Sequence, residues 1–292
     1  MNEFAVIFGG KGMLARAVKA ELAGRGIDFV SLDLPECDLT RAADVAPVFQ
    51  RFDPTLVFNC AAHTRVDACE DEQDKADAIN GYAVGTLAEM AKAFNAKLVQ
   101  VSTDFVFDGQ GNKPYRPEDR VGPLSAYGRS KLLGERLIQQ IQPRHWAIVR
   151  TAWLFGVGGA SFPRTMLELG RKGTTLRVVD DQIGCPTYTE DLAAALVDVG
   201  LSRAQGIYHC TNSEPTNWYD FAVAAFDAFG EKADVQPTTT QQYLKNRPKQ
   251  APRPMYSVLD CTSLETAIGR KMRPWRETLA DFRKAVDASG GF

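Results

Sequence analysis

Tyr127 and Lys131 stand four residues apart in Ser125-Ala126-Tyr127-Gly128-Arg129-Ser130-Lys131. On a helix that spacing puts both side chains on one face. A phenol titrates near pH 10 in water, too high for acid–base work at neutrality. An ammonium beside it favours the phenolate, so the pair can move a proton to or from a sugar or alcohol oxygen. Upstream, Val101-Ser102-Thr103-Asp104 supplies the Thr103 hydroxyl, which can hydrogen-bond a developing oxyanion. Tyr and Lys at this spacing are common on helices, and Thr103 could equally cap a turn. Their weight depends on the elements that position them.

The apolar run Phe4-Ala5-Val6-Ile7-Phe8 reads as a buried parallel strand. It leads through Gly9-Gly10-Lys11-Gly12-Met13-Leu14-Ala15 into a helical stretch. Backbone N–H groups at such a helix start, those of Met13 and Leu14 included, bind a pyrophosphate. Gly9 and Gly12 permit the tight turn and close approach of the dinucleotide, with Ala15 at the third, packing position. Taken alone, this loop is also compatible with an ordinary strand–helix turn. A second strand, Phe29-Val30-Ser31-Leu32, ends at Asp33, where a dinucleotide fold holds the adenosine ribose hydroxyls. Lys11 and Arg16 could meet a 2′-phosphate, so NADH and NADPH both stay open as cofactor. Asp38 and Leu39 fall where the chain passes the adenine, although Asp38 also suits a turn or an N-cap.

Further strand-like runs follow at Leu56–Cys60, Lys97–Val101 and Ala147–Arg150, with helical stretches at about 73–95 and from Ser125, a plausible cap, to Gln140. This alternation predicts an α/β fold, a doubly wound parallel sheet of Rossmann type with a smaller C-terminal substrate lobe. Residues 1–152 are expected to form the dinucleotide-binding domain and 153–292 mainly the substrate lobe. Short strands near 176–179 and 206–209 are expected to return to the main sheet. Thr189 is expected to cap a helix running to Val199, and Glu70-Asp71-Glu72 to form an acidic first turn. The loop 246–254, with three prolines, reads as a fixed surface connection or a substrate lid. In such a sheet ligands bind beyond the carboxyl ends of the strands. That rule selects Asn59-Cys60-Ala61-Ala62-His63-Thr64, where Ala61 and Ala62 let a nicotinamide ribose approach. It also selects Ser102-Thr103-Asp104 and Arg150-Thr151-Ala152-Trp153.

Across 292 residues the net charge is −2, with no basic stripe to suggest nucleic acid or a membrane surface. No apolar segment approaches the roughly 18 residues a membrane span needs. The chain enters a core strand at once, so no signal peptide is expected. Six cysteines without a CxxC spacing read as reduced thiols of a cytoplasmic protein. Three scattered histidines argue against a metal site.

The segments GGKGMLA (9–15), NCAAHTRVDACE (59–70), STDFVFDG (102–109), PLSAYGRSKLLGE (123–135), RTAWLFG (150–156), DDQIGCPTY (180–188) and APRP (251–254) run over nearly the whole chain. Together they resemble the dTDP-4-dehydrorhamnose reductase family of the extended short-chain dehydrogenase/reductases. The resemblance implies NAD(P)H-dependent reduction of a nucleotide-linked 4-keto-6-deoxysugar, with Thr103, Tyr127 and Lys131 as the catalytic set. It places Val66, Asp104 and Trp153 along the deoxysugar or its thymidine diphosphate. Arg253 could bind the diphosphate through its fork or be a loop surface charge, and Trp153 could be core packing. The chain departs from the family at Phe105 (more often Tyr), Cys185 (often Ala) and Ala15 (often Gly), which leaves the sugar open.

Related dehydratases carry Asp-Glu after the Thr, whereas here Asp104 is followed by Phe105. Related epimerase-reductases carry a Cys near this strand end, and none lies between Cys69 and Cys185. Two other functions share the motifs: an epimerase that retains its NAD, and a non-catalytic relative resembling the methionine adenosyltransferase beta subunit. A homodimer is one option for the assembly.

Overall fold

A computed structural model describes residues 3–245, 247 and 249–291. Strand β1 (Phe4–Phe8), buried from Ala5 onward, runs through the glycine turn into helix α1 (Met13–Gly24). Strand β2 (Asp28–Leu32), α2 (Ala42–Phe52) and β3 (Leu56–Asn59) repeat the unit. Two short helices, α3 (Val66–Asp71) and α4 (Gln73–Asp77), are followed by a π-helical turn (Ala78–Tyr82) that opens α5 (Ala83–Ala93). Strand β4 (Lys97–Thr103), α6 (Ala126–Ile141) and β5 (His145–Thr151) complete this half.

The later chain is more irregular. Short β6 (Leu154–Phe155), α7 (Phe162–Gly170), β7 (Leu176–Val179), β8 (Ile183–Gly184) and β9 (Thr187–Tyr188) precede the long α8 (Thr189–Leu201). Then come β10 (Gly206–His209), β11 (Thr216–Asn217), α9 (Trp218–Phe229) and β12 (Val235–Thr238). Helices α10 (Thr240–Leu244), α11 (Thr262–Ile268) and α12 (Trp275–Ala288) end the chain.

Six parallel strands form the main sheet in the order β10-β5-β4-β3-β1-β2. Side chains alternate cleanly between its faces, as the two-residue period of a strand requires. Ile7, Phe58 and Val149 join Leu14, Val18, Leu192 and Leu196 of α1 and α8 on one side. Val6, Phe8, Val57, Leu98 and Ile148 join Phe49, Val84 and Leu87 of α2 and α5 on the other. Both faces are covered, so the strands must be apolar throughout. A separate aromatic cluster, with Phe155, Phe221, Trp275 and Phe282, gathers β6, α9 and α12.

The structure corrects four expectations. Strand 206–209 lies in the main sheet, but 176–179 pairs with β12, because β10 already occupies the sheet edge beside β5. The helical stretch 73–95 is interrupted at the π turn, whose Asn80 is buried and bonded to neighbouring segments. Thr189 is already helical and its hydroxyl donates to Glu190 at 2.7 Å, while Tyr188, held extended by pairing with β6, takes the cap position. Glu70 and Asp71 end α3 rather than begin a helix, and Glu70 instead accepts the Ala126 N–H at the start of α6, at 2.8 Å. In the proline loop, Asn246 and Pro248 lie outside the described residues. Its later part is pinned where the Ala251 N–H donates to Asp67 at 3.0 Å.

Helix α6 sits unusually close to the π turn. A Cβ at Gly134 would lie 2.4 Å from the Asn80 carbonyl oxygen. Replacing an exposed helical Gly with Ala ordinarily stabilises by about 0.5–1 kcal/mol. Gly134→Ala is expected to act in the opposite sense, costing about 1–3 kcal/mol through overpacking. Urea unfolding checks this, and a raised midpoint would show that the contact yields freely.

Candidate active site

The carboxyl ends of β1, β3, β4 and β5 open onto two connected cavities. The first, of about 540 Å³, is lined by Gly9, Gly12, Asp33, Asp38, Leu39, Ala61 and Ala62. The second, of about 480 Å³, is lined by Met13, Leu14, Val66, Thr103, Asp104, Tyr127, Lys131 and Trp153. Gly12, Cys60, Ala61 and Ala62 belong to both walls. The expected catalytic set and the expected cofactor and sugar residues thus line these two spaces, whereas Lys11, Arg16 and Arg253 line neither.

The first cavity fits a dinucleotide. Gly9 has φ +79°, and a Cβ there would sit 2.6 Å from the Ala61 nitrogen. The Gly12 N–H closes the turn on the Gly9 carbonyl at 2.9 Å. No side chain caps α1, which leaves its first N–H groups for an anion. Asp33 is positioned by two backbone donors, Lys11 N–H at 2.9 Å and Leu34 N–H at 2.8 Å. Lys11 closes over this corner, its ammonium bonding the Leu34 carbonyl. Arg16 does not join it. Its chain lies along Gly158, because α1 turns that face toward the loop after β6. Asp38 accepts the Thr40 N–H at 2.9 Å and the Thr40 hydroxyl at 2.7 Å, a turn that also holds its carboxyl below the usual range.

In the second cavity, helix α6 presents Tyr127 and Lys131 to the end of β4. Ser125 caps the helix by accepting the Gly128 N–H at 3.1 Å. The Thr103 hydroxyl shares this cavity wall with Tyr127 and donates to Asp104 Oδ1 at 3.0 Å. Burial pushes the Tyr127 phenol well above its ordinary value, and the Thr103 contact only partly offsets this. The expected lowering by Lys131 is not found among the groups acting on the phenol; the Lys131 ammonium instead donates to the Val101 carbonyl at 2.7 Å. Tyr127 thus stays protonated through the neutral range, the form a proton donor needs. Burial also lowers Lys131 to about 8, against the opposing pull of Glu135 and Cys60. Asp104 is 2% exposed, and its Oδ2 has no hydrogen-bond partner. Burial raises it to about 6 despite the Ser257 and Thr103 hydroxyls. Phe105 stands edge-on to Tyr127, ring centroids 5.5 Å apart.

Trp153 is held in the left-handed region at φ +49°, a conformation bulky residues rarely adopt. It stacks on Trp218 at 3.6 Å between centroids, so it is wall and packing at once. Beyond it, a shallow groove lined by Thr64, Val66, Asp67, Ser161 and Arg253 leads away. Arg253 also borders a third chamber of about 280 Å³ with Phe162, Arg177, Trp218 and Tyr243. Its guanidinium pairs with Asp67 at 3.1 Å, so it is a fixed cation at a junction rather than a loose loop charge.

Sequence reasoning missed four residues here. Asn80 accepts the His63 N–H at 2.8 Å and donates to the His63 carbonyl and to Ser130, both at 3.0 Å, tying the Ala61–Thr64 loop to α6. Nothing in the sequence marks it. Trp218 and Ser161 carry no motif either. Glu135 had a signal, since it continues the Tyr127–Lys131 spacing by one further turn.

A family model described as the RmlD substrate binding domain matches residues 4–288. The chain belongs to the RmlD substrate binding domain family. It is 39% identical to a dTDP-4-dehydrorhamnose reductase of Streptomyces griseus, over 98% of this chain and 95% of that one. Among solved structures, a dTDP-4-dehydrorhamnose reductase of Clostridium acetobutylicum superposes with a TM-score of 0.92 at 39% identity, covering 97% of this chain and 99% of that one. One from Bacillus anthracis, in complex with NADP, gives 0.91 at 34% identity, with the same coverage. Among the described residues, no helix is long and apolar enough to cross a membrane.

The corner around Asp33 carries both a carboxylate for ribose hydroxyls and the Lys11 ammonium. Both NADH and NADPH are expected to bind, within about tenfold of each other, or roughly 1.4 kcal/mol. Asp33→Ala is expected to shift the balance toward NADPH by a similar factor. Fluorescence titration with each cofactor measures it, and strict use of one cofactor, unmoved by the mutation, would refute the assignment.

Proposed function

We propose that this protein reduces the C4 ketone of a nucleotide-linked 6-deoxysugar, with dTDP-4-dehydro-L-rhamnose to dTDP-L-rhamnose as the leading case. The observation that carries this reading is that Thr103, Tyr127 and Lys131 line one cavity, which shares a wall with the dinucleotide cavity. A bound NADPH or NADH supplies the hydride. Gly9, Gly12, Met13 and Leu14 hold its pyrophosphate, Asp33 its adenosine ribose, and Lys131 its nicotinamide ribose.

Thr103 donates a hydrogen bond to the C4 oxygen as negative charge grows there. Tyr127 passes its phenolic proton to that oxygen, so C=O becomes H–C–OH and the phenolate is reprotonated from solvent. Lys131 keeps a positive charge on the same helix face while the phenolate exists. Val66, Asp104 and Trp153 line the sugar. The groove to the third chamber suits the nucleoside diphosphate. It offers the Arg253 cation and the Ser161 hydroxyl, which is buried without a hydrogen-bond partner. Water elimination would need a second carboxylate beside the threonine. Phe105 fills that place with an apolar ring. Six unpaired cysteines suit a reducing compartment, and the cytoplasm is the proposed place of work.

NAD(P)H oxidation with a panel of nucleotide 4-keto-6-deoxysugars tests the reaction. Consumption with at least one member is expected. Its absence with all of them would point to the regulatory reading, and tightly retained NAD after purification to an epimerase. Tyr127→Phe is expected to lower kcat by about 10²-fold or more, the scale of general acid catalysis, with cofactor affinity kept. Activity within twofold of the unmodified protein would remove Tyr127 as the proton donor.

A further inference from the structure

Tyr127, Lys131 and Glu135 recur every fourth residue along α6, and each meets one consecutive residue of β4. Tyr127 shares a cavity wall with Thr103, Lys131 donates to the Val101 carbonyl at 2.7 Å, and Glu135 accepts the Ser102 hydroxyl at 2.6 Å. The third rung is a charged one. Glu135 is 1% exposed and is gripped by Arg150, itself 2% exposed, through two parallel bonds of 2.9 and 2.7 Å. Arg150 is held from behind by the Pro117 carbonyl at 3.2 Å and lies 5.1 Å over the Phe107 ring. A fully buried ion pair costs more desolvation than its attraction returns unless other bonds complete it. Packing alone would be served as well by apolar residues at both positions. The pair sits one turn below Lys131.

We propose that Glu135 is a positioning residue for Lys131: its buried carboxylate, fixed by Arg150 and Ser102, keeps the neighbouring lysine in its ammonium form. The groups facing Lys131 allow this. Tyr127 is uncharged at neutral pH, and the Cys60 thiol is pushed up to about 12 by burial, so it too is neutral. Asp104 is not among the charges that act on Lys131. His209, in contact with Arg150, is pushed down to about 3 by burial and the guanidinium, and carries no charge. Glu135 is then the anion that opposes the desolvation of Lys131, whose own value is about 8. Removing a negative neighbour destabilises the ammonium. Its pKa falls, and the charged form is lost at lower pH.

The proposal rests on the reductase reading only for the use made of Lys131, and the primary test does not need turnover. Protein labelled with carbon-13 at the lysine ε position is titrated by NMR, with Lys131→Met identifying the signal. Wild-type Lys131 is expected to titrate near 8, and Glu135→Gln to move that midpoint down by about one pH unit, the lower end for loss of a close opposite charge. Ser102→Ala, which keeps the carboxylate, should leave it in place. Should Glu135→Gln not fold, the double variant Glu135→Gln/Arg150→Met removes anion and cation together and is expected to show a smaller shift in the same direction, because Glu135 acts on Lys131 more strongly than Arg150 does. Where a keto sugar is reduced, the alkaline limb of kcat/KM should follow the NMR midpoint in each variant. An unmoved midpoint in a folded Glu135 variant, or an equal shift in Ser102→Ala, would overturn the proposal. Failure of every keto sugar to react would count against the reductase reading and leave the titration result standing.

Discussion

The close docking of α6 onto the end of β4 is the constraint on which the site depends. A helix following a strand in this fold must cross back over the sheet, and its distance from the sheet is set by the side chains between them. Here polar bonds join the apolar packing of Ile138 against Leu98 and Ile148 in fixing that distance. Val101 and Ser102 of β4 each bond a residue of α6, and Gly134 lets the helix touch the π turn. The helix therefore cannot slide or rotate without breaking several buried hydrogen bonds, each costly to leave unmade. That rigidity sets Thr103 and Tyr127 on one cavity wall before any substrate arrives, which is the arrangement preorganised catalysis requires.

The same docking explains the electrostatics. Burial raises Tyr127 and Asp104 and lowers Lys131, each toward its neutral form. For the tyrosine this is useful, because a proton donor must begin protonated. For the lysine it is a cost, and the surroundings oppose it with an anion one helical turn away. The site thus holds one group neutral and one group charged in the same poorly hydrated space. Environment rather than residue type separates them.

Around this core, support reaches further than the cavity walls. Asn80 fastens the loop after β3 to α6 and pins the wall shared by both cavities. Asp67 holds both the Ala251 backbone and the Arg253 guanidinium, which brings the late proline segment to the groove beside α3. Trp218 backs Trp153 in its strained conformation. Each of these contacts joins separate segments of the chain, and each fixes a residue that the proposed reaction uses.

The sequence by itself determined the alternating strands and helices and the glycine turn, and it singled out the trio proposed to react. Those features are local: an apolar run marks a strand, a spacing of four marks a helix face, and Gly9 answers to a positive φ within its own turn. It also carried the resemblance that named Val66, Asp104 and Trp153. Only the tertiary structure decided the rest. It broke the helical stretch 73–95 at Asn80, sent strand 176–179 to β12, and turned Arg16 away from the Asp33 corner. It set Tyr127 high rather than low, because solvent exclusion is a property of the packed whole and not of a four-residue spacing. It gave Glu70 and Glu135 their partners, since a buried carboxylate finds its cation or its helix N-terminus in space, and no local pattern records where that partner will be.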